Sequence, residues 1–290
     1  MTSPRLAVWP WLTGLAVLCQ VGCTTLPAAS VTTFGQGVDK VRLQFDTTFA
    51  SINQMATEDE IDQAVLLPTL TEASVAVVVP QADIDKWDKA ITVIDGYVAK
   101  LVLLLSPDQA NTFETAADAL GTSLAKLDPD SLPSAGVAAG FLEAGRLLIE
   151  AKAETDAIAV AKKADPAMRM IFSAMAAAVG SDHHEGLRGT VWAHWQERMG
   201  VQQVAFLTAK AAGKRDAVVA YIDSRDKRDT QDLQLGSLRQ SLLDLAGAHA
   251  ALARGSAVEL GAAIAMIQQE LDNTRTQISK FSAMKPKAKE

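Results

Sequence analysis

Apolar side chains recur along this chain at alternating steps of three and four residues. Phe34, Val38, Val41, Phe45, Ile52 and Met55 follow that rhythm, with Thr48 or Phe49 filling the gap, and so fall on one face of a helix. Ile84, Trp87, Ile91, Ile94, Val98, Leu101 and Leu105 repeat it. Leu235, Leu238, Leu242, Leu245 and Leu252 do the same, with His249 standing in the place of a leucine, and Leu260, Ile264, Ile267, Leu271, Thr274, Ile278 and Phe281 form a fourth stripe. Such stripes are seams along which helices pack side by side. They predict an all-α fold, an elongated multi-helix bundle with coiled-coil-like packing.

Helix starts can be placed from capping chemistry. Thr57 with Glu60, Ser106 with Gln109, Asp182 with Glu185, and Ser256 with Glu259 have the capping-box spacing, in which each side chain satisfies a backbone donor near the other. Pro107 and Pro166 suit first-turn positions, where a missing N–H costs nothing, and Asp128 and Asp165 precede prolines as candidate caps. These signals predict helices over 33–56, 58–67, 70–79, 81–105, 107–127, 134–164, 166–179, 182–228, 231–254 and 257–282. Two stretches stay open. Ser74 to Val79 has strand propensity and reads as a short helix or an extended connector, and Asp223 to Thr230 reads as a turn or as the solvated middle of a longer helix. No long Pro- or Gly-rich linker divides the chain, so residues 34–284 are expected to form one domain, with a split near Pro129–Ser134 as the alternative. Residues 285–290, with Lys285, Lys287 and Lys289, read as a solvated basic tail.

Composition agrees with helices. Hydrophobic residues make up 49% of the 290 but aromatic residues only 5%, so the apolar mass is alanine, leucine, isoleucine and valine. Alanine and leucine favour helix. The formal net charge is −7, with no basic stripe, which argues against a phosphate backbone as partner.

Both cysteines, Cys19 and Cys23, lie near the N-terminus. Arg5 precedes an apolar run from Leu6 to Leu18, and small residues follow; that order is the order of a secretory signal peptide. The run is shorter than the roughly 20 residues a spanning helix needs. The stretch Gln20-Val21-Gly22-Cys23 resembles the lipobox of bacterial lipoproteins, with Gly22 and Cys23 at its most demanding positions and Gln20 departing from the usual aliphatic residue. The resemblance covers only these first residues. It implies a signal peptide over 1–22 and a lipid on the Cys23 sulfur. The absence of aspartate after that cysteine, where Thr24 stands, implies the outer membrane, periplasm-facing. Residues 23–33 then read as a lipidated N-terminus and tether. Cleavage after Ser30 and an uncleaved N-terminal anchor are the alternatives.

Candidate chemistry is sparse. Asp182, His183, His184 and Glu185 with His194 are the one cluster of metal-ligand types, but adjacent histidines on a helix diverge, and no metal or cofactor is expected. Trp192, Trp195 and Met199 share a helix face, either as core or as a partner-binding groove. His249 in a leucine seam reads as a hydrogen-bonded core histidine. Gly136, Gly140 and Gly145 form a small-residue face that lets helices approach closely. The expectation is a non-enzymatic, lipid-anchored envelope protein with a membrane contact through its lipid and a protein partner. The alternatives are a membrane-active helical protein and a metal- or small-ligand-binding bundle.

Overall fold

The computed structural model describes residues 28–64, 69, 71, 77–105, 115, 118, 121–124, 128–150 and 157–284. These residues form helices α1 (Ala28–Ala64), α2 (Gln81–Leu104), α3 (Ala135–Glu150), α4 (Ala157–Val179), α5 (Gly186–Thr208), α6 (Ala211–Arg254) and α7 (Ala257–Met284), with a 3-10 turn at Pro129–Ser131 before α3. Among the described residues there is no strand. The expected all-α bundle is what the chain forms. The lipobox cysteine Cys23, the signal segment, the Ser106/Gln109 box and the basic tail lie outside the described residues.

The rod α6 organises the molecule. It packs against α1, α4, α5 and α7. At 44 residues it is about 65 Å long, from a rise of 1.5 Å per residue. Leu235, Leu238, Leu242, Leu245 and Leu252 are all buried on it, meeting the stripes of α1 and α7. The pairing of α1 with α6 is antiparallel. Phe34 meets His249 edge-on, the Gln44 amide donates to the Ser237 hydroxyl at 3.0 Å, and Arg198, packed beside the first half of α6, pairs with Glu60 near the end of α1. Helices α4 and α5 cover α6 in series. Asp165 reaches His249 near one end, and Arg188 makes a two-pronged contact with Asp232 near the middle.

Local chemistry explains where elements begin and end. Asp128 accepts from Asp130 N and so caps the 3-10 turn, and Ser134 Oγ accepts from Val137 N at the start of α3. The φ of 71° at Gly255 lets the end of α6 close, with Gly255 N–H donating to Leu252 O and Ser256 N–H to Ala251 O. Between α4 and α5, Gly180 has a φ of 105°, and a side chain there would strike the Glu185 carbonyl.

Several expectations are corrected. Helix α1 already includes Ala28, and Val31 is buried in the core, so residues 28–33 belong to the bundle rather than to the 23–33 tether. Thr57 and Glu60 lie inside α1, and Glu60 is turned to Arg198 instead of to a cap. The predicted 70–79 helix does not include its last residues: both backbone groups of Val79 are held by the Asn53 side chain, at 2.8 and 2.9 Å, which fixes that stretch as a connector. Pro166 lies within α4, not at a helix start, because the chain already runs helically from Ala157. The predicted 182–228 helix starts later and is broken. Asp182 Oδ1 accepts from His184 N in a turn, and extended Ala209 and Lys210 separate α5 from α6. Asp223 to Thr230 is helical, within α6. The Ser256 box forms by half: its hydroxyl accepts from Glu259 N, while the Glu259 carboxylate pairs with Arg254.

Candidate functional site

The hairpin of α5 and α6 carries the residues that sequence singled out, and it divides into a packed base and a bare tip. In the base, Trp195 is fully enclosed and Met199 and Val191 are buried. The Trp195 indole N–H donates to Gln231 Oε1 at 2.6 Å, and Gln231 Nε2 reaches the Ile52 carbonyl at 3.5 Å, so one buried chain ties α5, α6 and α1 together. Lys227 stands 5.6 Å above the Trp195 ring and pairs with Asp223. Trp195 and Met199 are therefore core residues of this fold. Trp192 stays half-buried, but Arg228 lies 4.0 Å from its ring centre and His183 at 4.5 Å. With its amide oxygen facing them, Gln196 accepts from both the Trp192 indole and Arg228 at 3.2 Å. The indole is thus largely occupied within the chain.

Beside this base, Arg198 pairs with Asp59 at 2.9 Å and with Glu60. Burial pushes the Asp59 carboxyl above its usual range, against the pull of Arg198, Lys227 and His194. Burial, and then the charge of Arg198, push His194 below the ordinary imidazole value. His183 and His184 sit on the 180–185 turn, ring against ring at 4.1 Å, while His194 faces the α1 carboxylates. Among the described residues no three His, Cys, Asp or Glu side chains are placed to hold a metal ion.

The buried histidine has an arrangement of its own. His249 Nε2 lies 2.9 Å from the Tyr97 hydroxyl and Nδ1 lies 3.0 Å from Asp165 Oδ1, while Asp165 Oδ2 meets Arg169 at 2.9 Å. A neutral ring with its proton on Nδ1 satisfies both contacts, with Tyr97 donating and Asp165 accepting. Burial holds His249 below its ordinary pKa and drives the Tyr97 hydroxyl up. Asp165 is also raised by burial, but the His249 hydrogen bond and the charges of His249, Arg169 and Arg254 outweigh it and leave the carboxyl below its usual range. The row Tyr97–His249–Asp165–Arg169 fastens α2, α6 and α4. The small-residue face behaves likewise: a side chain at Gly140 would meet Ile171, and one at Gly136 would meet Ala174, so that face is where α3 lies close to α4.

Past Met199 the character of the hairpin changes. The next inward positions of α5 are Gln202 and Phe206, and from 200 to 223 only Ala217 is buried. Val201, Val204, Phe206, Leu207, Val218 and Val219 are exposed; Leu207 reaches 75% and Val204 61%. These six lie within 19 residues and make up six of the fourteen large exposed apolar residues described, so the clustering marks the tip as a surface of its own. A cavity of about 400 Å³ opens between the two helices, lined by Gln202, Gln203, Phe206, Leu207, Val218 and Tyr221. The tip closes tightly. The Thr208 hydroxyl donates to the Val204 and Ala205 carbonyls, and the Lys210 carbonyl accepts from Gly213 and Lys214. Among the described residues no helix is long and apolar enough to cross a membrane. Compared with known proteins, the chain matches no family model, no curated protein and no solved structure.

Proposed function

We propose that this chain is a non-enzymatic, lipid-anchored cell-envelope protein, a helical spacer that presents an apolar docking tip away from the membrane to which Cys23 fastens it. In this reading the anchoring membrane is the outer membrane, on its periplasmic side, and the partner surface is the tip of the α5–α6 hairpin rather than Trp192, Trp195 and Met199. One observation supports it above the rest. The exposed apolar cluster lies at the start of α6, whereas Phe34, near the start of α1, packs on His249 near the other end of α6. The two ends are about 65 Å apart along that helix. Cys23 is five residues before Ala28, a reach of at most about 18 Å, so an anchor there holds the end of the bundle opposite the tip.

Metabolic labelling with palmitate, followed by membrane fractionation, tests the anchor. The chain should take up label and sediment with membranes, and Cys23→Ala should lose both; label or sedimentation unchanged in that variant refutes anchoring. A photo-crosslinking residue at Leu207 should give a discrete adduct in cells that the same residue at exposed Leu142 does not give. Identical adduct patterns at the two positions count against the tip.

A further inference from the structure

We infer that the α5–α6 tip is built to enter the interfacial layer of an anionic lipid bilayer, an inference that rests on the proposed function and names the tip's partner. The first observation is the composition of the exposed surface. Leu207 and Val204, with Val201, Phe206, Val218 and Val219, present a cluster of apolar side chains to water within 19 residues of chain. The second is charge. The chain as a whole carries −7, yet its segment 200–221 holds Lys210, Lys214 and Arg215 against the single carboxylate of Asp216. All three cations are exposed. The third is where a cation sits: Lys214 Nζ lies 4.8 Å from the Phe206 ring centre, so an apolar body and a charged head share one boundary. Apolar side chains beside lysine and arginine are the pattern by which helices seat themselves among headgroups, the apolar part reaching the acyl boundary and the cations meeting lipid phosphates.

The same charges argue against a second copy as the occupant. Two tips laid together through this surface would bring like cations into contact, which is destabilising. The geometry also keeps the tip from acting as a span. Thr208 lies eight positions after Gly200, so the exposed part of α5 is about 12 Å long, enough for the headgroup layer and not for the hydrocarbon core.

The test uses the full chain carrying Cys19→Ser and Cys23→Ser, with Leu207→Cys labelled by an environment-sensitive fluorophore and, in a second sample, Leu142→Cys labelled in the same way. Each is mixed with phosphatidylglycerol-containing vesicles and with purely zwitterionic vesicles. The dye at position 207 should shift to the blue and become quenchable by a lipid-borne quencher on anionic vesicles only, while the dye at position 142 stays in water. Adding Lys210→Glu, Lys214→Glu and Arg215→Glu should lower partitioning by at least about 100-fold, from roughly fivefold per cation. A dye at 207 that stays in water on both vesicle types overturns the inference, and so does one that responds equally on both. A blue shift that grows with protein concentration and needs no vesicles overturns it in favour of a second copy. If the vesicle result fails while palmitate labelling and the position-207 adduct in cells persist, the bilayer is excluded and the spacer stands.

Discussion

Removing one oxygen atom should unsettle the bundle at its most enclosed polar point. In Tyr97→Phe the ring that packs in the core remains, but His249 Nε2 loses the hydroxyl that lies 2.9 Å away. Both residues are buried, His249 completely, so water cannot replace that donor without opening the helix interface. A buried acceptor left without a partner costs about 1–3 kcal/mol. For a domain of this size each kcal/mol moves the midpoint by roughly 2–4 °C, so the melting temperature should fall by about 2–12 °C. Thermal unfolding followed by circular dichroism, with urea titration at fixed temperature, measures the loss. Tyr221→Phe, at the half-buried hairpin, serves as control and should change stability by less than about 0.5 kcal/mol. If Tyr97→Phe melts within a degree of the parent chain, the hydroxyl does not hold His249, and the row from Tyr97 to Arg169 is not the fastening described above.

Arg198→Ala strips the partner from two largely enclosed carboxylates and should cost about 3 kcal/mol at neutral pH; the deficit should shrink in acid, where Asp59 takes up a proton, and a deficit that is the same at pH 5 and pH 8 argues against the pairing. Gly247→Ala, with open space around the new atom and a helical backbone, should stabilise by roughly 0.5–1 kcal/mol, whereas Gly140→Val, pressed on Ile171, should destabilise by about 1–3 kcal/mol; urea midpoints that move in the same direction contradict the helix spacing. His249 and His194 both titrate below the ordinary imidazole value in the folded chain, so the unfolded chain binds protons first. Their contribution is full above about pH 6.5 and is lost as pH falls through the folded values, so the urea midpoint should be flat from pH 8 to 7 and drop toward pH 5; a midpoint that climbs over that interval reverses the sign of the argument.

The long seams were legible because they need only local information. The leucines of α6, the α2 stripe from Trp87 to Leu101 and the α1 stripe from Phe34 to Ile52 all recur at helical spacing, and all became core. His249 could be read as a core residue for the same reason. Its partners could not, since Tyr97 is 152 residues away and Asp165 84. The same separation hid the use of Glu60, whose spacing from Thr57 fitted a local box while its carboxylate met Arg198 138 residues on. Pro166 was misjudged because proline at a helix start and proline within a continuing helix look alike in sequence. The break at Ala209 and Lys210 carries no glycine or proline, so nothing local announced it. The exposed tip was missed for a related reason. Trp192, Trp195 and Met199 drew attention by size, yet the larger signal lay one to three turns onward, where valines, Phe206 and Leu207 occur on more than one face of the helix. Apolar residues all around a short helix mean burial on all sides or a surface awaiting cover, and only the fold tells which.

Helix α6 has one unbroken backbone but two environments. From Leu235 to Leu252 its leucines are buried among its neighbours, while from Ala211 to Tyr221 only Ala217 is buried. Amide protons of the first stretch can therefore trade with solvent deuterium only when the whole bundle opens, whereas those of the second need only local fraying. A single rod should thus show a steep gradient of exchange along its length, and ordering of its free end by whatever it touches should register as slowed exchange there, with the other end unchanged.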